Sequence, residues 1–405
     1  MQRTGFSLVL ILILSNLFLG VSFAQDSIFV TATPSGGGQT ANQVTPNPTT
    51  SSVTAQATVM PTAMTAVPEV KVKGYDFSAC DYQEGQPTSA ACIALMEAYP
   101  EPDVMDTTVD GYTLSIYSFW RVGPHAVNRY DAPGGNVIGH IPEGFNFINV
   151  IEENVSGWLQ TEAGDWVQES DAYYVAPSYF TGVRLPENWQ IPFGWVLDTT
   201  GVYTSLYPGG ESTSESGLVP LHYERYTIFA QEEDAEGWTW YLIGPNQWIK
   251  QTFIAIVRPV EDIPEELTGN WVGIDLFEQT LIAYEDQTPV FATLVSSGLP
   301  PWDTNEGIFT VWARLQRDSM SGSTGAPDAY ALQTVPWTMY FDDGISLHGT
   351  YWHDLFGYRR SHGCVNVSLS DASFIYNWFL KGEADANGEV VNYVYVFSTG
   401  EYKRF

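Results

Sequence analysis

The chain has 405 residues, 44% of them hydrophobic and 14% aromatic, which is long enough for two or three domains with sizeable cores. It carries 47 acidic residues against 16 Lys and Arg, so the formal net charge is −31. A charge of this sign repels phosphate backbones, and we exclude nucleic acid as a partner. We read the acidity itself as a source of solubility.

The N-terminal segment indicates export. Arg3 precedes an apolar run from Phe6 to Phe23, and Ser22-Phe23-Ala24 has small residues where a signal peptidase cleaves. We predict a signal peptide over residues 1–24, cleaved after Ala24. The alternative is an uncleaved membrane anchor, because the run is about long enough to cross a bilayer. Either reading places the folded part in the cell wall, the periplasm or the extracellular space.

Two short regions follow before the main domains. Residues 25–69 are rich in Thr, Pro, Ser, Gln and Gly, and they predict a disordered stalk. Residues 70–110 contain Cys80, Cys92 and one predicted helix in ACIALMEAYP. In an oxidising compartment, the simplest pairing of the three cysteines is a Cys80–Cys92 disulfide with Cys364 left as a thiol.

Residues 111–260 contain a weak internal repeat. Pro-Gly-Gly turns begin at Pro133 and Pro208, and each is followed by Trp-bearing strands broken by Gly turns. Short strands with such turns indicate small all-β barrels. We predict two SH3-like modules, at 111–180 and 181–260, whose tryptophans belong to their cores.

Residues 266–405 read as a further domain built mainly from strands. A hairpin is predicted around the polar turn Glu285-Asp286-Gln287, and a helix is predicted from Ser370-Asp371 to a stop at Gly382. The segment VVNYVYVFS predicts a closing strand.

The candidate site lies in HGTYWHDLFGYRRSHGCVN, which holds three of the six histidines and Cys364. A free thiol has a pKa near 8.5 and needs a base to become a nucleophile at neutral pH. His348 and His362 are both candidates for that base. His362 lies two residues from Cys364, on the same face of a strand but roughly 6–7 Å away along it. His348 comes from a different strand and approaches the sulfur more freely, so this geometry favours His348.

Neighbouring residues fit the same chemistry. Gly363 removes a side chain beside the nucleophile and is expected to leave backbone N–H groups free for an oxyanion, and the Asn366 amide can orient a ring or a loop. The alternative is a zinc site whose ligands would be drawn from His348, His353, Asp354, His362 and Cys364. Against it, the spacing matches no closed Cys/His knuckle. We favour no metal and assign a supporting or surface role to the flanking pair His353 and Asp354.

These residues resemble the signature of the L,D-transpeptidase family, the YkuD-like catalytic domain. The signature is a His, a spacer, then Ser/Thr-His-Gly-Cys, an apolar residue and Asn or Arg. The resemblance extends over most of residues 270–404, including the hairpin and the helix after Cys364. Thr304-Asn305-Glu306-Gly307 stands where Thr-Pro-x-Gly is usual, with Asn305 in place of the Pro.

The resemblance implies a mainly β chain with a β-sandwich-like catalytic domain that acts on peptidoglycan stem peptides without a cofactor. Cys364 would be the nucleophile, His348 its acid/base partner, and Gly349 would orient the imidazole through its carbonyl. Ser361, His362 and Gly363 would line the oxyanion region, and Asn366 would support the loop. We expect the substrate groove to include Trp337, Tyr340, Tyr351, Trp352 and Arg360.

Three alternatives stay open from the sequence. Water could replace the acceptor amine, which would give an L,D-carboxypeptidase. The SH3-like modules could carry a wall-binding role with an inert last domain, or the enzyme could be a zinc-dependent hydrolase of the same wall. We expect a monomer, with a membrane tether only if the N-terminal segment is retained.

Overall fold

The computed structural model describes residues 78–189, 191–322, 329–382, 384, 388 and 390–401. The predicted signal peptide over 1–24 and the predicted stalk over 25–69 lie outside the described residues. Within the described part of the chain, no helix is both long and apolar enough to span a membrane.

The described residues are mainly β, as the turn-rich sequence predicts. The three α-helices are α1 (Ala90–Ala98), α2 (Gly111–Ile116) and α3 (Leu369–Phe379), and short 3-10 helices lie at Ser78–Cys80, Glu169–Asp171, Ser214–Ser216 and Gln251–Phe253. The strands before residue 260 are β1 (Met105–Asp106), β2 (Phe119–Val122), β3 (Val127–Tyr130), β4 (Val137–Ile141), β5 (Phe145–Val155), β6 (Trp158–Thr161), β7 (Trp166–Gln168), β8 (Ala172–Tyr174), β9 (Val183–Arg184), β10 (Phe193–Val196), β11 (Arg225–Thr227), β12 (Ala230–Glu233), β13 (Thr239–Gly244), β14 (Gln247–Lys250) and β15 (Ile254–Val257). The later strands are β16 (Asn270–Asp275), β17 (Thr280–Glu285), β18 (Thr288–Leu294), β19 (Gly307–Thr310), β20 (Ala313–Gly322), β21 (Tyr330–Asp342), β22 (Ile345–Thr350), β23 (Val365–Ser368) and β24 (Tyr393–Phe397).

The small cysteine-containing segment packs against the second strand-rich region. The Ser89 side chain caps α1 by accepting a hydrogen bond from the Cys92 N–H, and Cys80 and Cys92 form a disulfide. Both cysteines share a buried cluster with Trp240 and Trp248. The segment therefore covers one side of that region.

The two middle regions are antiparallel. β2–β8 pair among themselves between residues 119 and 174, while β10–β15 form two three-stranded sheets, β11-β10-β15 and β12-β13-β14. We call these regions module 1 and module 2. Their strands lie within the predicted ranges 111–180 and 181–260, and the SH3-like barrel for each remains a prediction.

The C-terminal domain has two sheets around one core. The first has the order β1-β9-β18-β17-β16-β24-β19, and the second contains β20, β21, β22 and β23. Apolar residues from both sheets and from α3 form one buried cluster. The predicted hairpin is confirmed as β17 and β18, with Asp286 at a positive φ of 52° in the turn.

Helix α3 follows the strand that carries the candidate motif. The Ser368 side chain caps it by accepting from the Asp371 N–H at 3.2 Å, so the helix begins one residue before the predicted start. Its buried face, which includes Ala372, Ile375 and Phe379, closes one side of the core. β23 is thereby fixed between β22 and the start of a helix.

Module 1 joins the second sheet directly. β5 pairs in parallel with β21, with Phe145 opposite Tyr330 and Phe147 opposite Leu332. Phe119 and Phe147 enter the buried cluster that contains Cys364. The pairing of β5 with β21, which joins residues 185 positions apart, was not predicted.

Candidate active site

Two parallel strands bring the candidate pair together. β22 pairs with β23 so that Leu347 lies opposite Val365 and His348 opposite Asn366. Because side chains alternate along a strand, Leu347 and Val365 enter the core between the sheets, while Cys364 joins the cluster on the opposite face. His348 therefore lies on β22, and Cys364 immediately precedes the neighbouring strand β23.

The His348 ring has a defined orientation. Its Nδ1 lies 3.3 Å from the Gly349 carbonyl oxygen, which places the ring proton on Nδ1 and the lone pair on Nε2. Nε2 is buried and has no hydrogen-bond partner among the described residues. Burial lowers the pKa of His348 to about 4, opposed by the Gly349 carbonyl, so the imidazole is neutral at neutral pH. A neutral ring with an unused lone pair is a proton acceptor.

The thiol of Cys364 is fully buried. Its Sγ lies 3.7 Å from Ser346 Oγ and 4.0 Å from the Gly344 carbonyl oxygen. Ser346 was not singled out from the sequence. It precedes His348 by two residues on the same strand, so strand alternation places both on one face and could have revealed it.

Ser361 and Gly363 form a tight turn before the thiol. Gly363 has a φ of 116°, a conformation that residues with a Cβ rarely adopt. Its N–H donates to Ser361 Oγ at 3.1 Å, and the Ser361 hydroxyl donates to the Cys364 carbonyl oxygen. The Gly363 N–H is therefore engaged, which differs from the expectation that it would be free for an oxyanion.

The segment around Thr304 holds the same turn from outside. Thr304 Oγ1 donates to the Gly363 carbonyl oxygen at 2.7 Å and accepts from the Gly298 N–H at 3.0 Å. The His362 ring, which is 1% exposed, packs against Trp302 with centroids 3.9 Å apart and planes tilted by 42°. The sequence motif around Thr304 was recognised, but this contact was not predicted.

His353 supports Asn366. Its Nδ1 accepts from the Leu355 N–H at 3.3 Å, so the proton of the neutral ring lies on Nε2. Nε2 lies 3.1 Å from Asn366 Nδ2. Because this Nε2 carries a proton, the amide is best assigned with its oxygen and nitrogen exchanged, so that the oxygen accepts from Nε2. Burial, with the cation of Arg360, keeps the pKa of His353 well below its usual range. Asp354 accepts from Ser178 Oγ at 2.5 Å.

The predicted groove residues divide between two clusters. Tyr340, Tyr351 and Trp352 share the buried cluster of Cys364, whereas Trp337 lies in the core between the sheets and donates to Thr113 Oγ1 at 3.2 Å. The structure therefore does not bring Trp337 to the thiol.

Aromatic contacts cover Tyr351 and Trp352. The Tyr351 ring stacks on Phe119, with centroids 3.6 Å apart and planes 7° apart. The Tyr351 hydroxyl and Trp352 Nε1 are buried without a hydrogen-bond partner in the described part of the chain. Nothing in the local sequence pointed to Phe119.

Metal ligation receives no support from the arrangement of donors. Across the described ranges, no group of three or more His, Cys, Asp and Glu side chains is arranged to hold a metal ion. In particular, the His353 nitrogens face Leu355 and Asn366.

Residues 269–392 match the family model of the YkuD L,D-transpeptidase catalytic domain. Solved structures similar to this chain include an L,D-transpeptidase from Stackebrandtia nassauensis, with 26% identity over 33% of this chain and 58% of that chain and a TM-score of 0.26. A mutant of the Enterococcus faecium L,D-transpeptidase is 24% identical over 32% of this chain and 50% of that one, with a TM-score of 0.27. L,D-transpeptidase 3 from Mycobacterium tuberculosis, in complex with a faropenem-derived adduct, is 19% identical over 37% and 72% of the two chains, with a TM-score of 0.27.

The chain thus spans 58% and 50% of the length of the first two of these structures. No curated protein matches the chain.

Proposed function

We propose that the C-terminal domain is a cysteine acyltransferase that acts as a peptidoglycan L,D-transpeptidase. The observation that carries the proposal is the placement of His348 beside the strand of Cys364, with Nδ1 held by Gly349 and Nε2 unpartnered. The match of residues 269–392 to the YkuD domain supports the same assignment.

In the proposed reaction, His348 Nε2 takes the proton of the Cys364 thiol. The sulfur attacks the carbonyl that joins the third stem residue to the terminal D-Ala. The amide C–N bond breaks, His348 returns the proton to the leaving amine, and a thioester remains on Cys364. An amine of a second stem then attacks the thioester, forming the cross-link and restoring the thiol. Attack by water would release the trimmed stem, as in an L,D-carboxypeptidase.

The remaining site residues have supporting roles in this proposal. Ser361 fixes the turn through the Gly363 N–H and the Cys364 carbonyl, and Gly363 leaves room for the substrate carbonyl. Asn366, which lies opposite His348 on the neighbouring strand, is held in place by its hydrogen bond to His353. His362 lines the approach to the thiol.

Four of the predicted groove residues remain in this proposal. Tyr351 and Trp352 hold unpartnered polar atoms in the cluster of Cys364, and a peptide substrate has carbonyl groups that could bind to them. Tyr340 shares that cluster, and its hydroxyl donates to Asp318 at 2.8 Å. Arg360 is tied to the site through its backbone, which donates to the Ser297 carbonyl.

We also propose that the protein is exported and acts at the cell wall as a monomer. In this proposal residues 25–69 form the stalk, and modules 1 and 2 are SH3-like domains that hold the chain on the wall. Fractionation of expressing cells tests export, and sedimentation of the chain from Gln25 onward with purified wall tests wall binding.

A mass measurement tests the chemistry. The chain from Gln25 onward is incubated with faropenem, whose strained ring carbonyl accepts a nucleophilic thiol, and its intact mass is read. We expect one drug-derived adduct on the wild type, none on Cys364→Ala, and a much slower reaction for His348→Gln. A folded wild type without an adduct, or an equal adduct on Cys364→Ala, would contradict the proposal.

A further inference from the structure

The turn between β16 and β17 carries a buried side chain with contacts at both ends. Gln279 is fully buried, and its Nε2 donates to Ser297 Oγ at 2.7 Å and to the Leu276 carbonyl oxygen at 2.9 Å. Its Oε1 accepts from the Ser297 N–H at 2.8 Å. A single amide thus forms hydrogen bonds to both the backbone N–H and the hydroxyl of Ser297.

Residues 295–299, which we call the strut, pair with both ends of the loop that carries the motif. On one side, the Ser296 N–H donates to the Asn366 carbonyl at 2.8 Å, and the Asn366 N–H donates back at 2.9 Å. On the other side, the Ser297 carbonyl accepts from the N–H groups of Arg360 and Ser361 at 2.9 and 3.0 Å. The strut therefore sets the spacing between the two flanks of Cys364.

The turn that holds Gln279 is itself fixed to module 2. The Glu278 carboxyl accepts from the Tyr241 hydroxyl at 3.1 Å and from the Ile256 N–H at 2.9 Å. Gln279 thus sits between an anchored neighbour and the strut. Its amide fixes the position of Ser297 through two hydrogen bonds, and it has no described contact with Cys364.

Both the residue type and its backbone conformation argue for a specific task. Gln279 has a φ of 57°, in the left-handed region that disfavours a residue with a Cβ. Ser297 presents one donor and one acceptor, and a primary amide of this length satisfies both at once. A carboxylate there would face the Leu276 carbonyl and the Ser297 hydroxyl without a hydrogen to donate to the carbonyl.

We propose that Gln279 is a positioning residue for the acyl transfer, an inference that rests on the proposed function. Its amide holds Ser297, the Ser297 carbonyl holds the Ser361 N–H, and the Ser361 hydroxyl holds both the Gly363 N–H and the Cys364 carbonyl. Loss of the amide removes the hydrogen bonds between Gln279 and Ser297. The thiol and His348 then lose their alignment, while contacts with the substrate elsewhere are kept.

The test compares variants in the full chain from Gln25 onward. Gln279→Gly removes the amide and relieves the left-handed backbone, so the turn keeps its conformation. Gln279→Asn keeps an amide and suits this φ but is one methylene too short to reach Ser297. Ser297→Ala deletes only the hydroxyl acceptor and serves if the first variant fails to fold. Gln247→Asn, which shortens another hydrogen-bonded amide in module 2 away from the strut, is the matched control.

The readouts separate positioning from general stability. Faropenem acylation is measured as a rate constant at saturating drug and a half-saturation concentration, and thermal unfolding verifies that each variant is folded at the assay temperature. We expect Gln279→Gly and Gln279→Asn to lower the rate constant by about tenfold to a hundredfold, with the half-saturation concentration unchanged. Ser297→Ala should show a smaller loss, and Gln247→Asn should react at the wild-type rate.

The outcomes distinguish this inference from the function beneath it. The positioning role would be overturned, and the acyl transfer would stand, if wild type gains an adduct and all three folded variants react at the wild-type rate. These variants are Gln279→Gly, Gln279→Asn and Ser297→Ala. A rise in the half-saturation concentration alone would also overturn it, because it would mean lost binding. Folded wild type without an adduct would overturn both.

Discussion

Glu278 makes the stability of the protein depend on pH. The residue is 6% exposed, between module 2 and the β16–β17 turn. Burial raises its pKa to about 7, with the Asp275 carboxylate acting in the same direction and the Arg258 cation opposing it. In the unfolded chain, a glutamate ionises near its ordinary value of about 4.3.

The size and sign of the effect follow from this difference. Between about pH 4.5 and pH 7 Glu278 keeps a proton in the folded protein that it releases in the unfolded chain, so its contribution to the free energy of unfolding falls as pH rises through this window. A pKa change of this size in one group corresponds to between about 3 and 4 kcal/mol, which is lost progressively up to pH 7 and does not change further above it. Asp371, whose pKa burial raises to about 6, contributes with the same sign at lower pH.

The perturbation is Glu278→Gln, which keeps the shape and cannot ionise. The assay is urea unfolding followed by tryptophan fluorescence at pH 5, 6, 7 and 8, with the 14 tryptophans as reporters. The difference in unfolding free energy, wild type minus variant, should decline between pH 5 and 7, because the opposite contributions of the buried neutral His348 and His353 are common to both proteins and cancel. Tyr241→Phe, which removes one donor to the carboxyl but leaves the carboxyl in place, should give a profile parallel to wild type. A Glu278→Gln profile parallel to wild type would refute the reasoning.

Four further predictions concern the site and its surroundings. His348→Gln should lower the faropenem acylation rate by about 10²–10⁴-fold, because the general base is lost. In the wild type that rate should hold from pH 8 down to pH 5 and fall towards pH 4, where the imidazole becomes charged; a fall centred near pH 6.5 would contradict the burial argument. Gly349→Ala should destabilise the fold by about 1–3 kcal/mol in urea unfolding, because its Cβ would lie 2.8 Å from Leu369 Cδ2, and unchanged stability would count against this packing. Phe119→Ala should cost about 3–5 kcal/mol through the lost stack on Tyr351, and unaltered unfolding would show that the module 1 contact contributes little.

Local patterns in the sequence predicted much of the C-terminal domain. The polar turn at 285–287 lies between two strands, and the serines before residue 371 begin α3, because turn and cap chemistry act over a few residues. The family signature pointed to Gly349 as the group that orients His348, and the structure shows that contact.

Contacts between distant parts of the chain were beyond local patterns. Phe119 meets Tyr351 and Gln279 meets Ser297 only after the sheets assemble, and neither residue stands in a recognisable motif. Trp337 was placed in the groove with Tyr340, although three residues of separation on one strand puts them on opposite faces. Strand alternation, applied strictly, would have separated them.

The central claim is that Cys364 transfers a stem-peptide acyl group. The most direct measurement is to incubate the chain from Gln25 onward with disaccharide-tetrapeptide fragments of peptidoglycan and to identify the products by mass spectrometry, with Cys364→Ala alongside. Wild type should release D-Ala and form cross-linked or trimmed stems, and Cys364→Ala should form neither. Equal product from both proteins, or no product from folded wild type, would contradict the claim.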